Sequence, residues 1–534
     1  MIQLLSERSN LIMKKSTILK LLTFAFVLML SVSFIQRPAV VNAIDGLKDL
    51  DWVEEYSEHE IYPGVMAYDF VSSASSKYLL NHIHIVEFDP AQSDLYLDVT
   101  NEAEHSNTLK SVKNTMEEYN ANHPDRKSLA GVNGDMWMVT YAHARVEGSG
   151  TSYGGASDPV VTKSLTIPRG FNVYKGEIIS SPHDSSETPF EGEFQSFGIS
   201  SDGVAQLGQP KVTVNVTNHT TGKTFKPNGI NRLPANKAVM MYTDKGPAAN
   251  YALADAFEVV IDFDEDYVIK HGTNITGTVT AICGPDAENP EMKENRIILT
   301  ARGEKKTANI SDYSVGDKVT IEVSVKDTFK NDELWQNVYT AVGGHMYFAR
   351  DGKISSLGAG GESGYPTTII ATTKSGKMIF LVADGRQKDF SVGIPFGVYD
   401  KLAKELDFED AFIVDGGGST TMVQLVNEGY QLINRPSDKK SDGSYGSPRA
   451  VVNSFILAAG PDRNAPPATE VPTETPTDEP ADSTGDISGD KTSEPGKKSD
   501  GSKVNPGVIA AIAVGAVAVI AVAAFIITVA KKKK

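Results

Sequence analysis

Residues Phe412–Val423 have the sequence FIVDGGGSTTMV: an apolar segment, an aspartate, three glycines and three hydroxyl residues. Glycine destabilises a structured segment by roughly 0.5–1 kcal/mol relative to alanine. Three glycines in succession at the end of a strand therefore indicate close backbone approach or positive φ. Successive backbone N–H groups in such a turn form a concave anion site. The stretch predicts a buried strand that ends in a carboxylate beside an anion-binding turn.

The segment before this stretch predicts how the strand is arranged in a sheet. Met378–Asp384 has the pattern of a buried strand, and Pro395–Leu406 has that of a helix with proline in its first turn. Ala411–Asp415 is the next strand, and a strand, helix and strand in this order form a βαβ unit with parallel strands. We therefore expect an α+β or mixed α/β fold, with a mixed sheet, at least one βαβ unit and a β-rich insertion at residues 194–330.

Three apolar strands of this chain end in polar residues followed by glycine. The first ends in Asn133-Gly134-Asp135, the second in Asp384-Gly385-Arg386 and the third in Asp415 with its glycine run. In α/β sheets, ligands bind beyond the carboxyl ends of the strands. If the strands are neighbours, the three ends form one pocket.

The residue types in this pocket are consistent with two kinds of chemistry. Asp135 and Asp415 can act as the carboxylate pair that cleaves a glycosidic bond. The same acids, with Asn133, could instead hold a divalent cation such as Ca²⁺ or Mg²⁺. Ser419 is disfavoured as a hydrolase nucleophile because no GxSxG motif surrounds it. The absence of GxxxxGK[ST] argues against a nucleotide triphosphatase.

The two ends of the chain predict export and membrane anchoring. Three lysines precede an apolar run at residues 21–35 that is too short to span a bilayer, and small residues follow it. We expect a signal peptide at residues 1–43, with an uncleaved anchor as the alternative. Residues 508–530 are uninterruptedly apolar and precede four lysines. This pattern predicts a transmembrane helix at 507–530 and a cytoplasmic tail at 531–534.

The composition between these ends divides the remainder into a globular domain and a stalk. Residues 44–462 have the apolar content of a folded extracellular domain, whereas 463–506 are rich in Pro, Thr, Glu, Asp and Ser and predict a disordered stalk. The single cysteine fits the surface of a Gram-positive bacterium better than an animal ectodomain. The net charge of −17 argues against nucleic acid as a partner.

Several of these motifs, taken in order, resemble the phosphodiester glycosidase family. The resemblance extends over about residues 81–457, and its most specific part is the glycine-serine-threonine block together with the helix before it. The matching stretches are GVNGDMW (131–137), GINR (229–232), AVGGHMYFARDGK (341–353), LVADGR (381–386), FGVYDKLAKELDFEDAFIVDGGGSTTMV (396–423) and NRPSDKKSDGSYGSPRAVVNSFIL (434–457).

The resemblance implies hydrolysis of a sugar-1-phosphodiester, with release of a sugar and a phosphomonoester. It implies catalytic roles for Asp135, Asp415 and Asp384. It also implies a substrate-binding group: Asn133, Gly385, Arg386, Gly416, Gly417, Gly418, Ser419, Thr420, Arg449 and Asn453. The chain departs from the family pattern in one respect. It has Thr367 where the family has an arginine. Either substrate binding differs from that of the family, or another cation such as Arg232 or Arg449 takes the place of the arginine.

These inferences predict a membrane-anchored extracellular hydrolase that acts on a phosphorylated glycan or cell-wall polymer. No cofactor is required by this interpretation, and a divalent cation, Ca²⁺ or Mg²⁺, stays open. Two alternatives remain: a non-catalytic protein for glycan binding or exopolysaccharide assembly, and a metal-dependent phosphodiesterase that cleaves the P–O bond.

Overall fold

The computed structural model describes the globular part of the chain. The described residues are 44, 47–103, 108–142, 163–182, 195–232, 238–246, 256–285, 287–357 and 364–464. The predicted signal peptide, the transmembrane helix, the lysine tail and the stalk beyond Asn464 lie outside them. Within the described residues, no helix has the length and apolar character needed to cross a bilayer.

Strands are the main secondary structure of the described residues. The strands of the first part are β1 (Val53–Tyr62), β2 (Val65–Ser72), β3 (Asn81–Phe88), β4 (Leu95–Thr100), β5 (Lys127–Asn133), β6 (Trp137–Ala142), β7 (Lys163–Pro168), β8 (Asn172–Tyr174), β9 (Glu177–Ser180), β10 (Ser196–Ser200), β11 (Ala205–Gly208), β12 (Pro210–Asn218), β13 (Thr224–Phe225) and β14 (Gly229–Ile230). They are followed by β15 (Val239–Tyr242), β16 (Phe257–Asp262), β17 (Asn274–Cys283), β18 (Arg296–Ala301), β19 (Lys318–Asp327), β20 (Val338–Gly343), β21 (Met346–Arg350), β22 (Lys353–Ile354), β23 (Thr367–Thr373), β24 (Met378–Ala383), β25 (Phe408–Ile413), β26 (Met422–Val426), β27 (Gly429–Leu432) and β28 (Ser454–Ala459).

Helices are few and short by comparison. The α-helices are α1 (Val112–Asn122), α2 (Glu304–Thr307), α3 (Asp332–Gln336) and α4 (Tyr399–Glu405), and the 3₁₀ turns are Leu47–Asp49, Phe396–Val398 and Gly417–Ser419. The helices therefore cover strand layers and do not form layers of their own.

The strands form five sheets in the described part of the chain. Sheet 1 has the order β1-β2-β3-β24-β23-β25-β21-β22, sheet 2 β11-β10-β20-β8-β9, sheet 3 β13-β12-β19-β17-β16-β18-β15-β14, sheet 4 β27-β26-β5-β28-β4, and sheet 5 β6-β7. Among the described strand pairs, only β14 and β15 run parallel. The β-rich segment 194–330 contains β10 to β19, and its strand β10 pairs with β20 outside it.

The predicted α+β or mixed α/β class is wrong, because the domain consists mainly of antiparallel sheets. The predicted βαβ unit does contain two strands and a helix near the expected positions. However, β24 and β25 are not neighbours: β23 lies between them and is antiparallel to both. The crossover through α4 therefore passes over one strand, and no parallel pair forms.

The burial of sheet 1 explains this error. Along β24, Ile379 and Leu381 pack on one face, in a core shared with α4, while Phe380 and Val382 face a second core shared with sheets 2 and 4. A strand that is buried on both faces is apolar throughout, which is the usual signature of a parallel strand. Here the second face is covered by other sheets, so an antiparallel strand has the same signature.

The packing of sheet 1 on sheet 4 also positions the polar strand ends. In sheet 4, β5 ends at Asn133 opposite Ser454, the first residue of β28. In sheet 1, β24 and β25 end beside the start of β23, where Thr367 pairs with Ala383. These ends lie at one edge of the two-sheet core, and the polar residues that follow the strands meet there.

Candidate active site

Asn133 joins the strand ends through hydrogen bonds to three segments. Its side-chain Nδ2 donates to the carbonyl oxygen of Asp415 at 2.7 Å. Its Oδ1 accepts from Thr368 Oγ1 at 2.6 Å and from the backbone N–H of Thr421 at 3.0 Å. The side chain is fully buried. Asn133 therefore links β5, β23 and the glycine turn. Both polar atoms of its side chain are hydrogen-bonded to other residues of the protein.

Asp135 lies two residues further, in a fully buried position. Its backbone N–H donates to Asn453 Oδ1 at 2.8 Å, and its Oδ2 accepts from the N–H of Gly170 at 2.8 Å. Burial raises the pKa of Asp135 to about 7, although the Gly170 N–H and the charge of Arg232 act in the opposite direction. Such a carboxyl group can hold or release a proton near neutral pH.

Two buried arginines, Arg169 and Arg232, interact electrostatically with Asp135. Burial lowers the pKa of Arg232 to about 10, and Asp135 opposes this shift. The guanidinium of Arg232 donates to the carbonyl oxygens of Pro168 and Ser181. A cation therefore lies beside Asp135.

Asp415 is the second acidic group of the site and is partly exposed. Its Oδ1 accepts the N–H of Gly416 at 2.9 Å. Burial raises the pKa of Asp415 to about 6, against the lowering effects of Ser419 and Gly416. The charge of Asp415 also raises the pKa of Asp135, and Arg169 acts on both carboxylates. The two acids therefore titrate as an interacting pair.

Asp384 has a different environment. Its carboxylate accepts Asn434 Nδ2 at 3.0 Å and the backbone N–H of Arg435 at 2.9 Å, and His84 Nε2 lies 3.6 Å from its Oδ2. Burial acts to lower the pKa of His84, but Asp384 and Asp69 together raise it to about 9. A protonated, buried His84 thus pairs with Asp384. This environment suits a structural anchor better than the catalytic role implied by the family resemblance.

The glycine turn approaches other groups closely, as its composition predicts. Gly417 has φ +64°, and a side chain there would meet the Arg386 guanidinium at 3.0 Å. A side chain at Gly418 would overlap Arg449 Nη2, and the Arg449 guanidinium forms a bidentate pair with Asp438. Gly385 and Gly416 both lie against the backbone of Pro366. Two guanidinium groups therefore flank the turn.

Several buried polar atoms of the site lack a hydrogen-bond partner among the described residues. They include Asp135 Oδ1, Asn453 Nδ2 and the hydroxyls of Thr420 and Thr421. An unsatisfied buried polar group costs roughly 1–3 kcal/mol, so native proteins rarely retain several in one place without a function. These groups are positioned to bind a polar ligand beside the two carboxylates.

Thr367, the residue that departs from the family pattern, is buried at the start of β23. It accepts a hydrogen bond from Tyr399 Oη at 2.7 Å and donates to the carbonyl oxygen of Tyr365 at 3.0 Å. An arginine here would displace the contact with α4. The neighbouring Thr368, and not Thr367, contacts Asn133.

Sequence reasoning missed three residues of the site: Arg169, Gly170 and Asn434. Arg169 and Gly170 directly follow β7, the second strand of sheet 5, whose end lies next to Asp135. No sequence motif marks these two residues. Asn434 joins Asp384 to the carbonyl oxygen of Thr420, and it is the first residue of the closing motif. Within the described residues, no group of three or more His, Cys, Asp or Glu side chains is placed to hold a metal ion.

Residues 272–458 match the family model described as phosphodiester glycosidase. The match confirms, over this range, the resemblance to the phosphodiester glycosidase family that the sequence motifs indicate. The matched range includes Asp384, Asp415 and the glycine turn, and it begins after Asn133 and Asp135. No curated protein sequence matches the chain.

Three solved structures are similar to this chain. A hypothetical protein from Synechocystis has a TM-score of 0.52 and 15% identity, over 76% of this chain and 64% of its own. A Burkholderia pseudomallei protein has a TM-score of 0.51 and 15% identity, over 71% and 74%. The zebrafish N-acetylglucosamine-1-phosphodiester α-N-acetylglucosaminidase catalytic domain, auto-inhibited by its pro-peptide, has a TM-score of 0.34 and 14% identity, over 76% and 88%. The chain therefore spans less than two thirds of the Synechocystis protein, and the first two structures share its fold.

Proposed function

We propose that this protein hydrolyses sugar-1-phosphodiester linkages in a phosphorylated glycan or cell-surface polymer. The observation that supports this most directly is the interacting pair Asp135 and Asp415, which lies beside a glycine turn flanked by two guanidinium groups. Carboxylate pairs cleave glycosidic bonds, and arginines with backbone N–H groups bind phosphate. The family match over residues 272–458 supports the same class of reaction.

The environments of the two carboxyl groups suggest which one acts as the base and which as the acid. Asp415 is partly exposed and accepts a backbone N–H, so it is the member of the pair that ionises first. Asp135 is fully buried and keeps its proton to higher pH. At the working pH, the pair then consists of one carboxylate and one carboxylic acid, as acid–base catalysis at a glycosidic bond requires.

In the proposed reaction, ionised Asp415 removes a proton from water as the water oxygen attacks the anomeric carbon. The bond between the anomeric carbon and the bridging oxygen breaks, and Asp135 donates its proton to that oxygen. The products are a free sugar and a phosphomonoester. Arg386 and Arg449 hold the phosphate, and the donors Asn453 Nδ2 and Thr420 Oγ1 bind its oxygens or the sugar hydroxyls.

The sequence also supports a location for this reaction outside the cell. The signal-peptide pattern at 1–43 predicts export, and the apolar segment 508–530 with its terminal lysines predicts anchoring in the membrane. The acidic stalk would then hold the domain away from the bilayer. Protease treatment of intact cells tests this part, because an extracellular domain is cleaved and a cytoplasmic one is protected.

Hydrolysis in ¹⁸O-labelled water tests the reaction. We expect turnover of a synthetic sugar-1-phosphodiester with the label on the released sugar, because the C–O bond breaks. Label on the phosphate would instead indicate a phosphodiesterase that cleaves the P–O bond. Absence of turnover, with retained affinity for glycan, would favour a binding protein. The variant D415N, assayed in parallel, identifies turnover that originates from this site.

A further inference from the structure

A second group of cations lies next to the proposed phosphate site. The segment 434–449, NRPSDKKSDGSYGSPR, contains Arg435, Lys439 and Lys440 in addition to Arg449. The three additional cations are exposed. Their concentration in one short segment is notable because the chain as a whole has a net charge of −17.

Hydrogen bonds attach this segment to the active site. Asp384 accepts the backbone N–H of Arg435, and Asn434 donates to the carbonyl oxygen of Thr420 in the glycine turn. At the other end of the segment, the Arg449–Asp438 pair lies against Gly418. The cations are therefore held in a fixed position at the rim of the site.

The side chain of Arg435 is also held in place. Its guanidinium stacks on Phe390, at 3.9 Å from the ring centroid, and its Nε donates to Gln387 Oε1. Phe390 in turn stacks on His82, with 3.9 Å between ring centroids. A planar guanidinium held in this way loses little conformational entropy when it binds an anion.

The two lysines lie close to Arg435, around Tyr445 and Gly446. The Lys439 ammonium is 5.2 Å from the Tyr445 ring centroid, and the Arg435 guanidinium is 5.9 Å from it. A side chain at Gly446 would meet both Arg435 Cγ and Lys440 Nζ at 3.7 Å. Arg435, Lys439 and Lys440 thus form one cluster, which we call the rim cations.

The acids of the segment form no ion pair with the rim cations, although Asp442 interacts electrostatically with Lys440 at longer range. Asp438 is bound to Arg449, and Asp442 accepts hydrogen bonds from Ser444. No carboxylate in the described ranges lies within ion-pairing distance of a rim cation, whereas surface lysines such as Lys223 and Lys374 each have an acidic partner. Like charges held together in this way repel one another unless an anion binds between them.

We infer that the rim cations bind a second phosphate of the substrate, and that the substrate is a polymer with repeating phosphodiester linkages. This inference rests on the proposed function. When the scissile phosphodiester lies between Arg386 and Arg449, the adjoining repeat unit lies over the segment 434–449. Its phosphate then meets Arg435, Lys439 and Lys440. A substrate with one phosphodiester leaves this second site empty.

The triple variant R435Q/K439Q/K440Q tests the inference against two synthetic probes, a single sugar-1-phosphodiester and an oligomer of several phosphodiester-linked sugar units. We expect kcat/KM for the oligomer to fall by about tenfold or more, since its second phosphate loses charge-assisted hydrogen bonds. We expect kcat/KM for the single diester to change less than twofold. For the native protein, kcat/KM for the oligomer should also decrease more steeply with added salt than kcat/KM for the single diester.

A matched control separates the rim cations from the overall charge. The variant K211Q/K226Q/K270Q removes three exposed lysines from the segment of sheet 3, with the same change in net charge. It should leave both reactions unchanged. Equal losses for both probes in the rim variant would overturn the inference, because the cations would then act at the scissile phosphate. Unchanged turnover of both probes would also overturn it.

Binding distinguishes failure of this inference from failure of the proposed function. The oligomer is titrated calorimetrically into D415N and into D415N with the three rim substitutions. A Kd about tenfold weaker in the second protein supports the rim site, whether or not the native protein turns over the oligomer. Equal Kd values would refute the rim site even if hydrolysis of the single diester is observed.

Discussion

Two strands of sheet 1 are each followed by an aspartate and a glycine, but the two aspartates lie in different environments. β24 ends at Asp384 and β25 leads to Asp415, and glycine follows each aspartate. The Asp384 carboxylate accepts three hydrogen bonds from Asn434 and Arg435 and lies beside a protonated histidine. Asp415 accepts one backbone N–H and interacts with a second acid, Asp135. The partners of the carboxylate, and not the motif, decide between an anchor and a reactive group.

The largest expected difference between these aspartates concerns activity. We expect D135N and D415N each to lower kcat on a sugar-1-phosphodiester by roughly 10²–10⁴-fold, the range for loss of general acid–base catalysis. Both variants should be as stable as the native protein at pH 8, or more stable. The reason is that each pKa is raised by burial, so the ionised carboxylate destabilises the fold above the folded pKa. Single-turnover kinetics and urea denaturation measure the two effects.

For Asp384 we expect a loss of stability as the main effect of substitution. D384N removes one of the two carboxylates that pair with the buried His84 cation and leaves Asp69, 2.5 Å from Nδ1, as the other. We therefore expect a loss of about 3 kcal/mol, the lower end of the range for breaking a buried pair. Urea denaturation should show this loss in the free energy of unfolding. Comparison of H84Q, D384N and the double variant gives the coupling energy. A stable D384N protein without activity would contradict the structural assignment and restore a catalytic role for Asp384.

Because of His84, the free energy of unfolding should depend on pH. Its folded pKa of about 9 lies above the unfolded value of roughly 6.5. The stabilisation is therefore complete below about pH 6.5 and is lost as the pH rises through 9. Denaturation of the native protein from pH 6 to 10 should show this loss. H84Q should remove the part of the pH dependence that originates from His84.

The pH dependence of the reaction is expected to be smaller in amplitude. The proposed reaction requires Asp415 ionised and Asp135 protonated, with pKa values of about 6 and about 7. The value of kcat/KM should therefore be highest at about pH 6–7 and fall roughly tenfold per unit on either side. Because the two acids interact, the measured values belong to the pair. A rate that is constant from pH 5 to 8 would exclude this assignment.

The smallest effect is expected at the glycine turn. An alanine at Gly418 meets the ends of two flexible side chains, Arg449 and Asp438, so the pair can move without unfolding the turn. We expect G418A to raise KM by up to about tenfold, as one charge-assisted hydrogen bond is weakened. G284A is the matched control, because nothing lies within 4 Å of the added methyl group. Equal KM values in both variants would remove Arg449 from the phosphate site.

The sequence alone determined the local features of this protein. Apolar runs bounded by glycine and proline located β24 and β25, and the glycine run located the turn, because these signals depend on residues adjacent in the chain. The motifs also identified the family. Only the tertiary structure decided that β23 lies between β24 and β25, because burial on both faces produces the same apolar pattern in parallel and antiparallel strands. It also gave Asp384 and Asp415 different environments, since their partners Asn434, His84 and Asp135 are distant in sequence.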